Sequence, residues 1–112
     1  MAEPRTRPLV ETKPIVMFPG VTRRTLVSGD RITLVRIDIE ANAVVPEHTH
    51  PHEQAGTVVA GRIRLRIGGD ARDLDAGTSY LIPGGLPHEV TALAAVTLVE
   101  AFSPVREEFA HD

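Results

Sequence analysis

The amino-acid sequence predicts a single all-β domain, a sandwich or barrel of about nine short strands. The clearest strand is the segment 62–67, in which Ile63, Leu65 and Ile67 alternate with three arginines. This period of two is typical of a strand that buries one face. Gly and Pro interrupt the chain about every 8–12 residues, as turns between short strands do. No segment carries an apolar stripe at helical spacing over a useful length, so the pattern favours strands throughout.

The remaining strands are predicted on both sides of this segment. Before it, four segments with Val, Ile and Thr lie between turn residues: 21–27, 31–40, 44–46 and 55–60. After it, Gly68-Gly69-Asp70 is a hairpin turn signal. Four further segments complete the set: 71–74, 78–82, 89–93 and 95–102.

The two ends of the chain have a different character. Residues 1–19 carry four prolines and several charges, which predicts an extended N-terminal arm. Three states of this arm are open: disorder, an edge strand on its own barrel, or an edge strand on a partner's barrel. Residues 20–112 are predicted to form the barrel with a short C-terminal tail, in which residues 105–109 form one helical turn.

Composition excludes several classes of protein. The 112 residues suit one domain, and the net charge of −3 argues against binding to nucleic acid or to an anionic membrane. The absence of cysteine excludes disulfides, thiolate nucleophiles and zinc fingers. No run approaches the 18 apolar residues of a membrane helix, and no signal peptide is recognisable, so a cytoplasmic location is expected.

Histidine and glutamine carry the most informative pattern. On extended backbone His48 and His50 project to the same face, Gln54 joins them after a turn at Pro51, and another strand delivers His88. Neutral imidazoles are common ligands of divalent first-row metals, so the sequence predicts one metal ion, either zinc, nickel, manganese or iron. Glu53 is an alternative ligand. His52 is expected to be a solvated or supporting turn residue, and His111 is expected to be solvated.

The spacing of these residues resembles the two motifs of the cupin family, His-x-His-x3-Glu-x6-Gly and Gly-x5-Pro-x-Gly-x2-His-x3-Asn. The matching positions are His48, His50, Gly61, Gly77, Pro83, Gly85 and His88. The sequence departs from the motifs at Gln54, where the family usually has Glu, and at Ala92, where it usually has Asn. The resemblance implies a cupin jelly-roll β-barrel with the metal near its middle.

The glutamine changes the expected chemistry. Three imidazoles and one amide form a neutral ligand set, so the ion keeps its double charge and is a strong Lewis acid. The set differs from the two-histidine, one-carboxylate pattern of ferrous oxygenases.

The segment 99–109, together with the His-x-His-Pro-His-Glu-Gln sequence, resembles a group of small single-domain cupins, the KdgF group. Members of that group act in pectin degradation and open unsaturated uronate rings. An Asp and a Phe on their last strand face the metal, and the matching positions here are Glu100 and Phe102. The resemblance implies that Glu100 moves a proton in catalysis; the alternative is a carboxylate at the rim that pairs with an arginine.

Two other side chains are candidates for the site. Arg106 either clamps a substrate carboxylate or forms a surface pair with Glu107 or Glu108. Tyr80 either presents its hydroxyl to the cavity or packs in the core.

The leading hypothesis is therefore a metal-dependent enzyme on a small polar substrate such as an unsaturated sugar acid. Two alternatives remain: an iron or nickel dioxygenase of quercetinase type, and a non-catalytic cupin that binds a small molecule. A homodimer is expected, because the resemblance is to short barrels that pair through a flat sheet face and the N-terminal arm.

Overall fold

The computed structural model describes residues 3–112; Met1 and Ala2, the first residues of the predicted arm, lie outside the described residues. The described chain is mostly β-strand. The strands are β1 (Ile15–Phe18), β2 (Val21–Ser28), β3 (Thr33–Ile39), β4 (Val44–His48), β5 (Glu53–Ala60), β6 (Arg62–Ile67), β7 (Asp70–Asp75), β8 (Ser79–Ile82), β9 (His88–Ala92) and β10 (Val96–Ser103). A short 3-10 helix, Leu9–Glu11, precedes them, and one helical turn, α1 (Glu107–Ala110), follows.

The strands form two antiparallel sheets that face each other. One sheet has the order β1-β2-β3-β10-β5-β8, and the other has the order β4-β9-β6-β7. This is a two-sheet jelly roll, as the sequence predicted. Among the described residues, however, the strand pairings leave the two sheets separate, so the expected barrel is not closed by hydrogen bonds. A jelly roll buries its core between two such sheets.

Alternation along the strands builds the core. In β3 and β10 every second residue is buried, from Thr33 to Ile39 and from Val96 to Phe102. Most of these side chains are aliphatic, and each fully buried one contributes about 1.5–3 kcal/mol of transfer free energy. The same inward face of β10 also carries Glu100, which is only 7% exposed. A buried carboxylate in an otherwise apolar row is unusual and indicates a functional site at this position of the core.

Both ends of the described chain pack on the six-stranded sheet. Strand β1 pairs with β2 in this chain's own sheet, which is the second of the three states considered for the arm. The division of the chain at residues 19 and 20 stays a prediction. The helical turn α1 overlaps the predicted turn at residues 105–109 and extends one residue beyond it, and its Phe109 is buried. Neither helix of the described residues has the length and apolar composition needed to cross a membrane.

Candidate metal centre

Three histidines converge between the two sheets. His48 ends β4 and is the cross-strand partner of His88, which begins β9, while His50 lies in the loop after β4. Ring nitrogens of the three residues lie within 4.8 Å of one another. The ring of His88 is centred 4.2 Å from that of His48 and 5.0 Å from that of His50. The structure therefore brings together the three histidines that the sequence singled out.

Each of these rings has its Nδ1 atom against a backbone carbonyl. His48 Nδ1 lies 2.9 Å from the Pro46 oxygen, His88 Nδ1 2.8 Å from the Leu86 oxygen, and His50 Nδ1 3.2 Å from the His52 oxygen. A carbonyl oxygen only accepts, so Nδ1 carries the proton and Nε2 keeps its lone pair. Metal-binding histidines are commonly oriented in this way by a hydrogen bond from the other ring nitrogen.

Gln54 completes the set on the side of His50. Its side chain is buried, and its Oε1 lies 3.0 Å from His50 Nε2. Its amide nitrogen faces Glu100, which orients the amide with its oxygen towards the histidines. Glu53 is exposed on the opposite face of β5, so its carboxylate points away from the histidines. The alternative prediction, Glu53 as a metal ligand, is therefore wrong.

The donor set fits a divalent cation. Burial lowers the pKa of His50 to about 4, with the charges of Arg106 and His88 acting in the same direction, so the ring is neutral at neutral pH. A neutral imidazole has one proton, yet His50 faces an oxygen at each nitrogen and can donate to only one of them. His88 Nε2 is buried without a hydrogen-bond partner among residues 3–112. A cation bound by these lone pairs would resolve the conflict between His50 Nε2 and the Gln54 oxygen, and it would give His88 Nε2 a partner.

Glu100 is linked to this set through a short hydrogen-bond network. Its Oε2 accepts from Gln54 Nε2 at 2.5 Å and from the Tyr80 hydroxyl at 2.6 Å. Burial raises the pKa of Glu100, although both hydrogen bonds act in the opposite direction. Burial also raises the pKa of Tyr80, and the neighbouring Glu100 adds to the effect, so the hydroxyl stays protonated. Tyr80 thus packs against the core and directs its hydroxyl to Glu100, and it is not among the residues that line the cavity beside the histidines.

A cavity of about 180 Å³ opens beside the histidines. Its polar wall consists of His48, His88, Gln54, Glu100 and Arg106. The rest of its wall is apolar: Met17, Phe18, Val21, Ile37, Val45, Val90, Leu98, Phe102 and Phe109. A mostly apolar cavity with a few converging polar groups is typical of a small-molecule site.

Arg106 forms the predicted surface pair and also borders the cavity, while its role as a clamp for a substrate carboxylate stays a prediction. Its Nε donates to Glu108 Oε1 at 2.7 Å, which is the predicted surface pair. Its guanidinium also lies over the rings of Phe102 and Phe109, 4.7 Å and 4.2 Å from the ring centres, and borders the cavity. Guanidinium stacks readily on aromatic faces, so the two rings hold it at the cavity wall.

The other two histidines lie outside the cluster. His111 is exposed, as expected. His52 is buried, so its interpretation as a solvated residue is wrong; it is a supporting residue. Its ring Nε2 donates to the Val105 carbonyl at 3.3 Å, and its own carbonyl faces His50 Nδ1. His52 therefore ties the loop that carries His50 to the C-terminal segment.

The prediction from the sequence did not include two residues of the site. Phe109, from α1, packs edge-on against Phe102 with ring centres 5.9 Å apart and closes one wall of the cavity. A four-residue helix near a chain end offers no periodicity by which to find it. Gly56 is the second, because a side chain there would meet Tyr80, the donor to Glu100. A glycine inside an apolar strand often marks a close approach, so the sequence did contain a signal for it.

Comparison with known proteins agrees with this geometry. The family model of the cupin domain matches residues 35–101. The chain is 29% identical over 92 residues to the pectin degradation protein KdgF of Dickeya dadantii (strain 3937), covering 80% of this chain and 84% of that protein. An RmlC-like cupin from Shewanella frigidimarina NCIMB 400 superposes with a TM-score of 0.89 at 26% identity, covering 96% of both chains. KdgF from Halomonas sp. superposes with a TM-score of 0.89 at 25% identity, covering 95% of this chain and 98% of the other.

Proposed function

This chain belongs to the cupin family, and we propose from that premise that it is a metal-dependent enzyme that opens the ring of an unsaturated sugar acid. The observation that carries the proposal is the buried Glu100 carboxylate at the cavity wall, hydrogen-bonded to the amide of Gln54. His48, His50, His88 and Gln54 would hold the ion. When bound, a divalent ion in this neutral set would supply Lewis-acid polarisation of a substrate oxygen. Resemblance to two KdgF proteins supports the choice of substrate class.

Ring opening of such a substrate is an isomerisation. A hydroxyl proton leaves, the ring carbon–oxygen bond breaks, and a proton returns to the resulting enolate, so no atom is gained or lost. One carboxylate can take the first proton and deliver the second. Both hydrogen bonds to Glu100 end on Oε2, which leaves Oε1 to exchange protons with the substrate.

Two other residues would position the substrate in this mechanism. Arg106 has more donors than its bond to Glu108 uses, so it can also pair with the carboxylate of a sugar acid. Phe102 lies edge-on to the His50 ring, 5.6 Å between centres, and offers an apolar surface against which a sugar ring can pack.

Metal analysis and a turnover assay on tag-free protein test the proposal together. We expect one zinc, nickel or manganese ion per chain, and loss of the ultraviolet absorbance of 4,5-unsaturated galacturonate on addition of protein. Removing the ion with a chelator should abolish turnover, and adding it back should restore it. Stoichiometric iron with oxygen consumption would instead identify the dioxygenase, and a tightly held ligand without turnover would identify a binding protein.

We also propose a homodimer formed through the outer face of the six-stranded sheet. Five apolar residues form one row across this face, each paired with the next: Val27, Leu34, Ala101, Ala55 and Leu81. Leu81, at the end of the row on the edge strand, is 57% exposed. An apolar row of this kind across a sheet face is a surface that a second copy can cover.

Light scattering of a charged variant tests the dimer. We expect twice the mass of one chain for the unmodified protein and a single-chain mass for Leu81→Glu, because a new carboxylate in the row disfavours its burial. The matched control is Ala71→Glu, which adds the same charge to an exposed position of β7 in the other sheet. A single-chain mass for the unmodified protein, or a dimer that survives Leu81→Glu, would contradict the proposal.

A further inference from the structure

Glu100, Gly56 and Tyr80 form a single row across three neighbouring strands. Gly56 of β5 is the register partner of Glu100 on β10 and of Tyr80 on β8. The Tyr80 hydroxyl nevertheless reaches Glu100 Oε2 at 2.6 Å, across the intervening strand. Direct contact between side chains two strands apart requires that the position between them be nearly empty.

Glycine provides this space at position 56. A Cβ atom there would lie 2.4 Å from Tyr80 Cζ and 2.5 Å from the hydroxyl oxygen. Both atoms belong to the stiff phenol ring, so the ring would have to leave its place. Gly56 is not among the glycines with positive φ, so its backbone alone does not require glycine. Glycine weakens the interior of a strand, and the contact with Tyr80 is the reason that the structure offers for it.

We propose that Gly56 is a positioning residue of the site, because its missing side chain lets Tyr80 cross β5 and hold Glu100. Glu100 in turn accepts a hydrogen bond from the amide of Gln54, whose oxygen faces His50. A substitution at Gly56 therefore acts through Tyr80 and Glu100 on the orientation of a metal-facing amide. The catalytic consequence rests on the proposed function, but the effects on Tyr80 and on metal affinity do not.

The experiment compares Gly56→Ala with Gly69→Ala. Gly69 lies in the turn between β6 and β7, and a Cβ there meets no other atom of the described chain within 4 Å. The protein has one tyrosine and no tryptophan, so Tyr80 dominates its near-ultraviolet circular dichroism above the phenylalanine bands. We expect Gly56→Ala to change this spectrum and to weaken nickel binding, measured by calorimetric titration, about tenfold. The Gly69→Ala variant should match the unmodified protein in both measurements.

Kinetics add a readout that a merely structural role would not produce. Gly56→Ala should lower kcat about 10- to 100-fold and leave KM within about threefold. Tyr80→Phe, which keeps the ring and removes the hydroxyl, should reproduce the loss in kcat. The alanine is expected to act only through the Tyr80 ring. The double variant Gly56→Ala with Tyr80→Leu should therefore have a kcat no lower than that of Tyr80→Leu alone.

Several results would overturn the inference. One is an unchanged tyrosine spectrum and nickel affinity in Gly56→Ala. Another is a double variant in which the losses of kcat from the two substitutions add. A third is a double variant that is unfolded although Tyr80→Leu is folded. If Gly56→Ala alone fails to fold and the double variant folds, the clash with Tyr80 is supported. An unmodified protein that binds nickel without turning over unsaturated galacturonate would contradict the proposed function, while the spectra and titrations would still decide the role of Gly56.

Discussion

Replacement of His88 by alanine is expected to abolish stoichiometric metal binding. His88 is 2% exposed, begins β9 beside His48, and has a buried Nε2 without a partner in the described part of the chain. Loss of a ligand should weaken binding more than the roughly 10- to 100-fold produced by loss of a supporting residue. Elemental analysis of the purified variant should therefore find well under one ion per chain, and turnover should disappear with the ion.

The control for this variant is His111→Ala, which removes an imidazole from the exposed tail. It should retain the full metal content. Thermal melting gives a second measurement, because an ion that binds only the folded chain stabilises it by about 2.7 kcal/mol at one hundred times its Kd. We expect added metal to raise the Tm of the unmodified protein and of His111→Ala, and not that of His88→Ala. Full metal content in His88→Ala would refute the assigned ligand set.

Glu100→Gln should abolish turnover while metal stays bound. The replacement amide has nearly the same shape, and its oxygen can still accept hydrogen bonds from Tyr80 and Gln54, so the ligand amide keeps its orientation. The amide introduced at position 100 cannot take or deliver a proton at the cavity wall. General acid–base catalysis contributes about 10²–10⁴-fold, so we expect kcat to fall by at least about 100-fold.

Glu47→Gln is the matched control, because Glu47 adjoins His48 on β4 but is exposed. It removes the same charge near the cluster and should leave kcat within about twofold. The measurement compares the metal content and the turnover of Glu100→Gln with those of Glu47→Gln. Loss of both in Glu100→Gln would assign this residue to metal binding through Gln54, and loss of neither would remove it from the mechanism.

Nine of the ten strands and the cluster of three histidines were predictable from the sequence, whereas the state of the segment that forms β1 was not. A period of two along β6 assigns its alternate residues to one face, because successive side chains on extended backbone point in opposite directions. The same local rule favoured a shared direction for His48 and His50, and motif spacing identified His88 and Gln54. These are properties of short segments, so one sequence contains them.

The contacts between side chains of distant strands were not predictable from the sequence and depend on the three-dimensional fold. The row of Glu100, Gly56 and Tyr80 depends on β10, β5 and β8 being neighbours, an order that is not the order of the chain. Likewise, the burial of His52 and Phe109 depends on how the C-terminal segment packs against the loop after β4 and against β10. Pairing between distant strands is set by the packing of the whole core, whereas alternation and turn residues specify only each strand and its immediate turns.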